Sequence, residues 1–332
     1  MPDRIAVPLY MLTPNQEADF FALLAQKEHR KTKDGKPYLK IAVQDQKREL
    51  KFPVWSGTAI YQEIKNIEPG TYCKVRGIYR VSLQYGPQLE ILKIRPAEDA
   101  DAADGFDPLL LRPHSPLSVD AMWDELQTFI KEHLGKGKLL NTLTKILKEN
   151  RELFSAGAAS RHHHHNYTGG LLEHTLSVTK IAASLVDHYH RLYPDKKQDI
   201  SRPLTIAGAV LHDIGKVREY EPEPAGSLHH SAAGELLGHA VLGRDILREA
   251  AAEFELEAET QTHLEHIIIA HQRFPDWGAA KPPMSLEAMI VHHADSCDAL
   301  LGCFWNTFTT DQTDNALTER KNVIGYPLLK PR

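Results

Sequence analysis

The sequence predicts a two-domain protein of mixed α and β class, a small N-terminal β-barrel followed by an all-helical bundle. Three observations carry this. The first ~95 residues alternate apolar and polar side chains between glycine-containing turns. Residues 117–308 repeat apolar side chains at steps of three and four. Between them lies AEDADAADGFDPLLLRPHSP, acidic and then proline-rich. The expected domains are therefore 1–96 and 117–308, with 97–116 as a linker. The polar stretch 309–332 is expected as a weakly ordered or packed arm.

In the first domain, a turn at Asp34-Gly35 precedes the alternating run Tyr38 to Val43. ELKFPVWS, TYCKVRGIYRVSL and PQLEILKI continue the series, so five or so short strands suit a small barrel. One helical piece is expected, near Asn15 to Gln26 or Ala59 to Lys65. In the second domain, Ser118 is placed to cap the helix that begins VDAMWDELQTFI.

Composition is that of an ordinary globular chain, 42% hydrophobic and 25% charged over 332 residues. No apolar run approaches the ~18 residues of a membrane span, and MPDRIAVPLYML lacks signal-peptide architecture. Cys73, Cys297 and Cys303 are too few and too scattered for a disulfide framework. A cytoplasmic setting without membrane association follows as the expectation. Charge is asymmetric. Residues 1–95 hold 16 Lys+Arg against 10 Asp+Glu, and the remainder 23 against 34, which together give the net −5. A basic first domain suits a polyanion, and an acidic second domain suits cations.

Sixteen of the 19 histidines lie between His162 and His293. His174 shares a stripe with Leu171, Val178, Ile181 and Leu185. His212-Asp213 ends the stripe Leu204, Ala207, Leu211, Ile214. His239 lies with Leu236, Gly243 and Ile246, His271 with Leu264, Ile267 and Ile268, and Asp295 with Ala288, Val291 and Ala299. A lone histidine on an apolar face is ordinarily a hydrogen-bonded core residue. Five successive helices that each turn a His or Asp inward would bury polar groups with only one another as partners. Divalent metal resolves that cost. Six ligands suffice for two ions sharing Asp213, and a set without thiolate disfavours a structural zinc site.

These residues carry a resemblance. His174, His212-Asp213 and Asp295 follow the H…HD…D signature of the HD metal-dependent phosphohydrolase superfamily, and VLHDIGK is similar to its common LLHDIGK. His239 and His271 match the extra histidines of two-metal members. HHNYTGGLLEHTLSV and TKDGKPYLKIAVQD look like the YhaM-type 3′-to-5′ exoribonucleases, which join an OB-fold to an HD domain; the resemblance spans about residues 5–305. It implies an N-terminal OB-like barrel, an HD-domain bundle, and metal-dependent release of nucleoside monophosphates from the 3′ end of single-stranded RNA or DNA. Manganese is the implied metal, with Fe, Co, Mg or Zn as alternatives. Homo-oligomerisation is also implied. One departure stands out: His271 is followed by Gln272 and Arg273, where the family often has a second histidine and a glycine.

Further roles follow. Lys216, one turn past Asp213, is placed to contact the phosphate, against the alternative of a solvated helix-end lysine. His164 and His165 match the family's paired histidines and are candidates for contact with the phosphate or the leaving oxygen. Asp298 is either a group that orients a histidine ligand or a surface acid. His266 is expected to be structural, and His292 and His293 to support the site or lie at the surface. In the front domain Lys36, Tyr38, Lys40, Tyr79, Arg80 and Tyr85 are the candidate strand-binding residues, with Trp55 and Tyr72 in the core. Two other functions compete: an HD enzyme acting on free nucleotides, and a binding protein with a non-catalytic metal site.

Overall fold

The protein's structure, a computed structural model, describes residues 6–82, 86–160, 163–222, 228–311 and 313–331. The chain divides into two compact units, Met1–His114 with Pro222–Leu228, and Ser115–Glu221 with His229–Arg332. The first unit holds strands β1 (Glu17–Lys31), β2 (Pro37–Gln44) and β3 (Glu49–Trp55), helix α1 (Ile60–Asn66), and strands β4 (Tyr72–Ser82) and β5 (Gly86–Pro96). They form one antiparallel sheet in the order β3-β2-β1-β4-β5. The long β1 serves both halves. Glu17–Leu23 pair with β4 and Leu23–Lys31 pair with β2, with an irregularity between Leu24 and Gln26 that lets the strand bend.

The expected closed barrel is not formed among the described residues. The edge strands β3 and β5 approach each other but do not pair, and α1 packs against both. Pro53, Pro87 and Pro96 lie on these two edges, where a missing N–H donor is tolerated. Asn15 to Gln26 runs mainly into β1, so the helical piece is the alternative at Ala59 to Lys65. Phe20, Leu39, Ile41, Phe52, Val75 and Leu89 lie in the sheet's buried core. Residues 97–116 contain two 3-10 turns, Asp99–Asp104 and Pro108–Leu111. They are tied down: Asp101 pairs with Arg95 at 2.6 Å and with Lys74 at 3.2 Å, and the Phe106 ring lies 5.2 Å from that of Phe21.

The second unit contains helices α2 (Val119–Leu134), α3 (Lys138–Glu149), α4 (Arg151–Ala156), α5 (Gly170–Leu192), α6 (Arg202–Leu211) and α7 (Lys216–Glu219). A hairpin of β6 (Tyr220–Pro222) and β7 (Leu228–His230) leads to α8 (Ala232–Glu253), α9 (Ala258–Ala270) and α10 (Leu286–Thr310). Ser118, Ser201, Ser231 and Ser285 each accept a backbone N–H at the start of their helices, four local start signals written in the sequence. Helix α6 is apolar all round and buried from Leu204 to Leu211, packed against α2, α5, α9 and α10. No helix among the described residues is long and apolar enough to cross a membrane.

Two glycines set the approach of α8 to the end of α6. Gly238 takes φ +71° inside α8, breaks the helix there and re-aims the residue after it. The stripe expected through Leu236 and His239 is therefore interrupted, and Leu236 is 83% exposed. Gly215 lies so close to α8 that a Cβ there would be 1.9 Å from the His239 carbonyl oxygen. Past α10, Leu317 bridges Leu329, and Lys330 pairs with Asp311 at 2.6 Å, so the C-terminal segment folds as a packed arm. Gly215→Ala is expected to lower stability by about 1–3 kcal/mol through overpacking, measured by urea unfolding, and to displace His239.

Candidate metal centre

Four imidazoles and two carboxylates converge in the middle of the second unit. Each arrives for a local reason. His174 sits on the second turn of α5. His212 caps the C-terminus of α6 and Asp213 follows it in the turn before α7. His239 follows the Gly238 break, His271 caps α9, and Asp295 projects from the middle of α10. Helix C-termini leave carbonyls unpaired, and here they aim rings. His212 Nδ1 lies 2.7 Å from the Ala209 carbonyl and His271 Nδ1 lies 2.7 Å from that of Ile268. His174 Nδ1 lies 2.7 Å from Asp298 Oδ2, and His239 Nδ1 lies 3.1 Å from Glu219 Oε1. Every Nδ1 thus has an oxygen acceptor, which places the proton there and leaves each Nε2 lone pair turned toward the centre, that of His239 with the Gln272 amide nitrogen 3.1 Å away.

All four Nε2 atoms face Asp213, in two pairs. Oδ2 lies 3.4 Å from His212 Nε2 and 3.6 Å from His174 Nε2. Oδ1 lies 3.5 Å from His239 Nε2 and 3.6 Å from His271 Nε2. Asp295 Oδ1 joins the first pair, 3.2 Å from His174 Nε2 and 4.0 Å from His212 Nε2. Atoms that share a cation at about 2.0–2.2 Å must lie roughly 3 to 3.5 Å apart. Most of these separations fall in or just beyond that range. The donor set of nitrogen and carboxylate oxygen suits intermediate divalent metals, and the spacing fits two ions flanking one carboxylate.

Charge is arranged accordingly. Burial opposes the ionised form of Asp213, yet Lys216, with Nζ 2.5 Å from Oδ2, and His212 hold its carboxyl well below the usual range. Asp295 is likewise held low against its burial, chiefly by His174. Burial and the neighbouring His212 push His271 down to about 3, so it is neutral and fit to be a ligand. For His174 burial is outweighed by Asp295 and Asp298, which push it up to about 9.

The sequence candidates fall into distinct places. His174, His212, Asp213, His239, His271 and Asp295 are brought together. Lys216 is no solvated lysine: its side chain is nearly buried and also donates to the Ala159 carbonyl at 2.5 Å. The His164 ring lies 4.8 Å from that of His174, and its Nε2 is buried without a partner. His165 departs from the expected phosphate contact. Both its nitrogens are engaged, Nε2 at 2.9 Å from Asp298 and Nδ1 at 2.8 Å from the Tyr167 hydroxyl. Tyr167 in turn donates to Glu173 at 3.0 Å. His165 therefore braces Asp298, which also accepts from Ser177 and orients His174. Of the two readings of Asp298, the geometry selects the orienting one. His266 accepts the Met284 N–H at 2.9 Å, and His292 Nδ1 lies 2.7 Å from the His271 carbonyl. Glu219, Ser177 and Tyr167 were missed. Glu219 follows Asp213 by six residues, and its only signal was an acid inside an otherwise apolar and basic turn.

In the first unit Tyr38 faces Trp55 across the β2–β3 ladder, with ring centroids 5.1 Å apart. Trp55, expected in the core, is 50% exposed. It follows the outward parity of Lys51 and Pro53, opposite Leu50, Phe52 and Val54. Lys40 lies on the same face, opposite Glu28, and Arg30 lies opposite Tyr38. Lys36 is exposed in the turn before β2. Tyr79, expected at the surface, is 7% exposed because it shares the inward parity of Cys73 and Val75, and Arg48 covers its ring. Arg80 is taken up by Glu90 at 3.0 Å and by Asn15 at 2.9 Å. Tyr72 packs partly buried against Phe106. Tyr85 lies outside the described residues.

A family model described as HD domain matches residues 171–300. The chain is 30% identical over 284 residues to the 3′-5′ exoribonuclease YhaM of Bacillus licheniformis, covering 86% of this chain and 85% of that protein. It is 30% identical over 286 residues to the protein of that name from Bacillus subtilis, with shares of 86% and 85%. The Listeria monocytogenes protein of the same name is 29% identical over 289 residues, 86% of each chain.

Removing the charge that orients His174 tests the arrangement. Asp298→Asn is expected to weaken divalent-metal affinity about 10- to 100-fold, read by calorimetric titration with Mn²⁺, and Glu219→Gln should act similarly through His239.

Proposed function

This chain belongs to the YhaM family, with an HD domain in its helical unit, and from that premise we propose that it is a metal-dependent 3′-to-5′ exoribonuclease. One observation carries the reading beyond the relatives' names. The two oxygens of Asp213 face separate histidine pairs, so a single carboxylate is set to be shared by two ions. Bound there, two divalent ions, manganese foremost, would supply a Lewis acid for a phosphoryl oxygen and an acidified water as nucleophile.

The chain's own residues do the remaining work. His174, His212 and Asp295 would hold one ion, His239 and His271 the other, and Asp213 both. Lys216 spends two of its three N–H donors on Asp213 and the Ala159 carbonyl. The third is available to a substrate oxygen, and the cation offsets charge added to the phosphoryl group. Burial, above all, keeps His164 neutral, pushed down to about 3. Its unpartnered Nε2 suits a hydrogen bond to a phosphoryl oxygen rather than acid catalysis. His165 and Asp298 hold the His174 ring in place.

Tyr38 and Trp55, with Lys40 and Lys36 beside them, suit single-stranded nucleic acid, because bases stack on aromatics and phosphates attract the lysines. The five-stranded order with a helix between β3 and β4 supports an OB-like reading of this unit. A mononucleotide substrate would have no use for such a surface. Free Cys73, Cys297 and Cys303 accord with a reducing, cytoplasmic setting.

With 5′-labelled single-stranded RNA and Mn²⁺, stepwise shortening from the 3′ end is expected, with release of nucleoside monophosphates. Release of phosphate from free nucleotides alone would overturn the reading. Substituting His212→Ala together with Asp213→Ala should abolish cleavage while strand binding by filter retention persists. Tyr38→Ala with Trp55→Ala should weaken strand binding by about 1–3 kcal/mol per lost stack, measured by anisotropy.

A further inference from the structure

Immediately after His271 the chain forms a loop pinned to the end of α9. Arg273 N–H donates to the Ala270 carbonyl at 2.8 Å and Ala280 N–H to that of Ile269 at 3.0 Å. Between these anchors Trp277 and Ala279 both donate to the Phe274 carbonyl, and Gly278 donates to that of Pro275. The loop reaches the metal centre through Gln272. Gln272 places Nε2 3.1 Å from His239 Nε2, while its buried Oε1 has no partner and faces Gly278, where a Cβ would lie 2.6 Å from it. Gly278 has φ +103°, and Arg273 holds the left-handed backbone with φ +66°, unusual for an arginine.

This tightly closed loop holds two large rings in solvent. Trp277 is 61% and Phe274 43% exposed. Their centroids are 4.9 Å apart, edge to face, and the Arg273 guanidinium lies 4.9 Å from the Phe274 ring. Packing does not account for them, since a tryptophan that served the core would be covered. Trp277 adjoins Gly278, Gly278 contacts Gln272, and Gln272 contacts a ligand histidine. The loop that carries the rings is thereby tied, through Gln272, to the half of the centre formed by His239 and His271. A planar, uncharged π-system bearing a phosphate is the chemistry that such a surface takes.

We propose that Trp277, supported by Phe274 and Arg273, is the stacking platform for the base of the 3′-terminal nucleotide. The inference rests on the exoribonuclease reading. It assigns Trp277 to holding the nucleotide about to leave, a task separate from that of the Tyr38–Trp55 surface, which would hold the strand body. Stacking on a base without reading its edges tolerates every base, as removal of successive nucleotides requires.

The test uses the full chain with two 5′-labelled RNA oligonucleotides, one with an ordinary 3′-terminal base and one with an abasic 3′-terminal residue. The wild type is expected to shorten the abasic substrate with kcat/KM lower by roughly 5- to 150-fold, the span of one stacked base. Trp277→Ala should lower kcat/KM on the ordinary substrate to the abasic level and lose the discrimination, whereas Trp277→Phe should keep most of it. A second readout needs no cleavage. In chelator, quenching of a 3′-terminal 2-aminopurine on binding should be lost in Trp277→Ala, while a 5′ label shows the strand still bound. Equal losses on both substrates, or a wild type indifferent to the missing base, would overturn the proposal. A wild type that shortens neither oligonucleotide would instead remove the exoribonuclease reading beneath it, and this proposal with it.

Discussion

Asp213 is almost wholly buried and ionised, and the helical unit is organised around that charge. An isolated carboxylate in such a place carries a penalty of several kcal/mol. Lys216 and the Nε2 edges of four histidines surround it instead. Each of those histidines is held from behind by an oxygen on Nδ1. Two of these oxygens are helix-terminal carbonyls and two are carboxylates. Packing alone would exclude such a cluster; divalent metal is what makes a set of these donors favourable.

The same constraint explains features of the fold that otherwise look unrelated. Gly215 has no side chain because α8 must press against the turn after Asp213 to deliver His239. Gly238 breaks α8 so that the residue after it points at the centre rather than along the helix. Asp298 carries His165, Ser177 and His174 on one carboxylate, which ties α10 and the loop before α5 to a single ring orientation. A disturbance in any of these elements reaches the ligands through one or two contacts, as expected when ligand position is set by its supporting groups.

In the β unit, the candidate strand-binding side chains and the core separate by strand parity. Phe52, Val54, Val75 and Tyr79 turn inward, while Tyr38, Lys40 and Trp55 turn outward on neighbouring strands. Reading aromatics by type alone exchanged Trp55 and Tyr79. Counting by twos from Leu50 and from Cys73 would have placed both correctly. Arg80 shows a different limit, because its neutralisation depends on Glu90 of another strand and on Asn15, neither of them close in sequence.

By itself the sequence singled out the six side chains that converge, because each stood where an amphipathic helix should be apolar, and a buried polar group without purpose is selected against by its desolvation cost. It also determined the division into a β-rich and a helical part, since periods of two and three to four residues are local properties. Tertiary structure alone decided the pairing of ligands about the two oxygens of Asp213, the supporting roles of Asp298, Glu219 and His165, and the unpaired edges of the sheet. Those depend on which distant segments meet. The loop after His271 belongs there too: Trp277 is an ordinary loop tryptophan in sequence, and only the contact of Gln272 with His239 ties its loop to the centre.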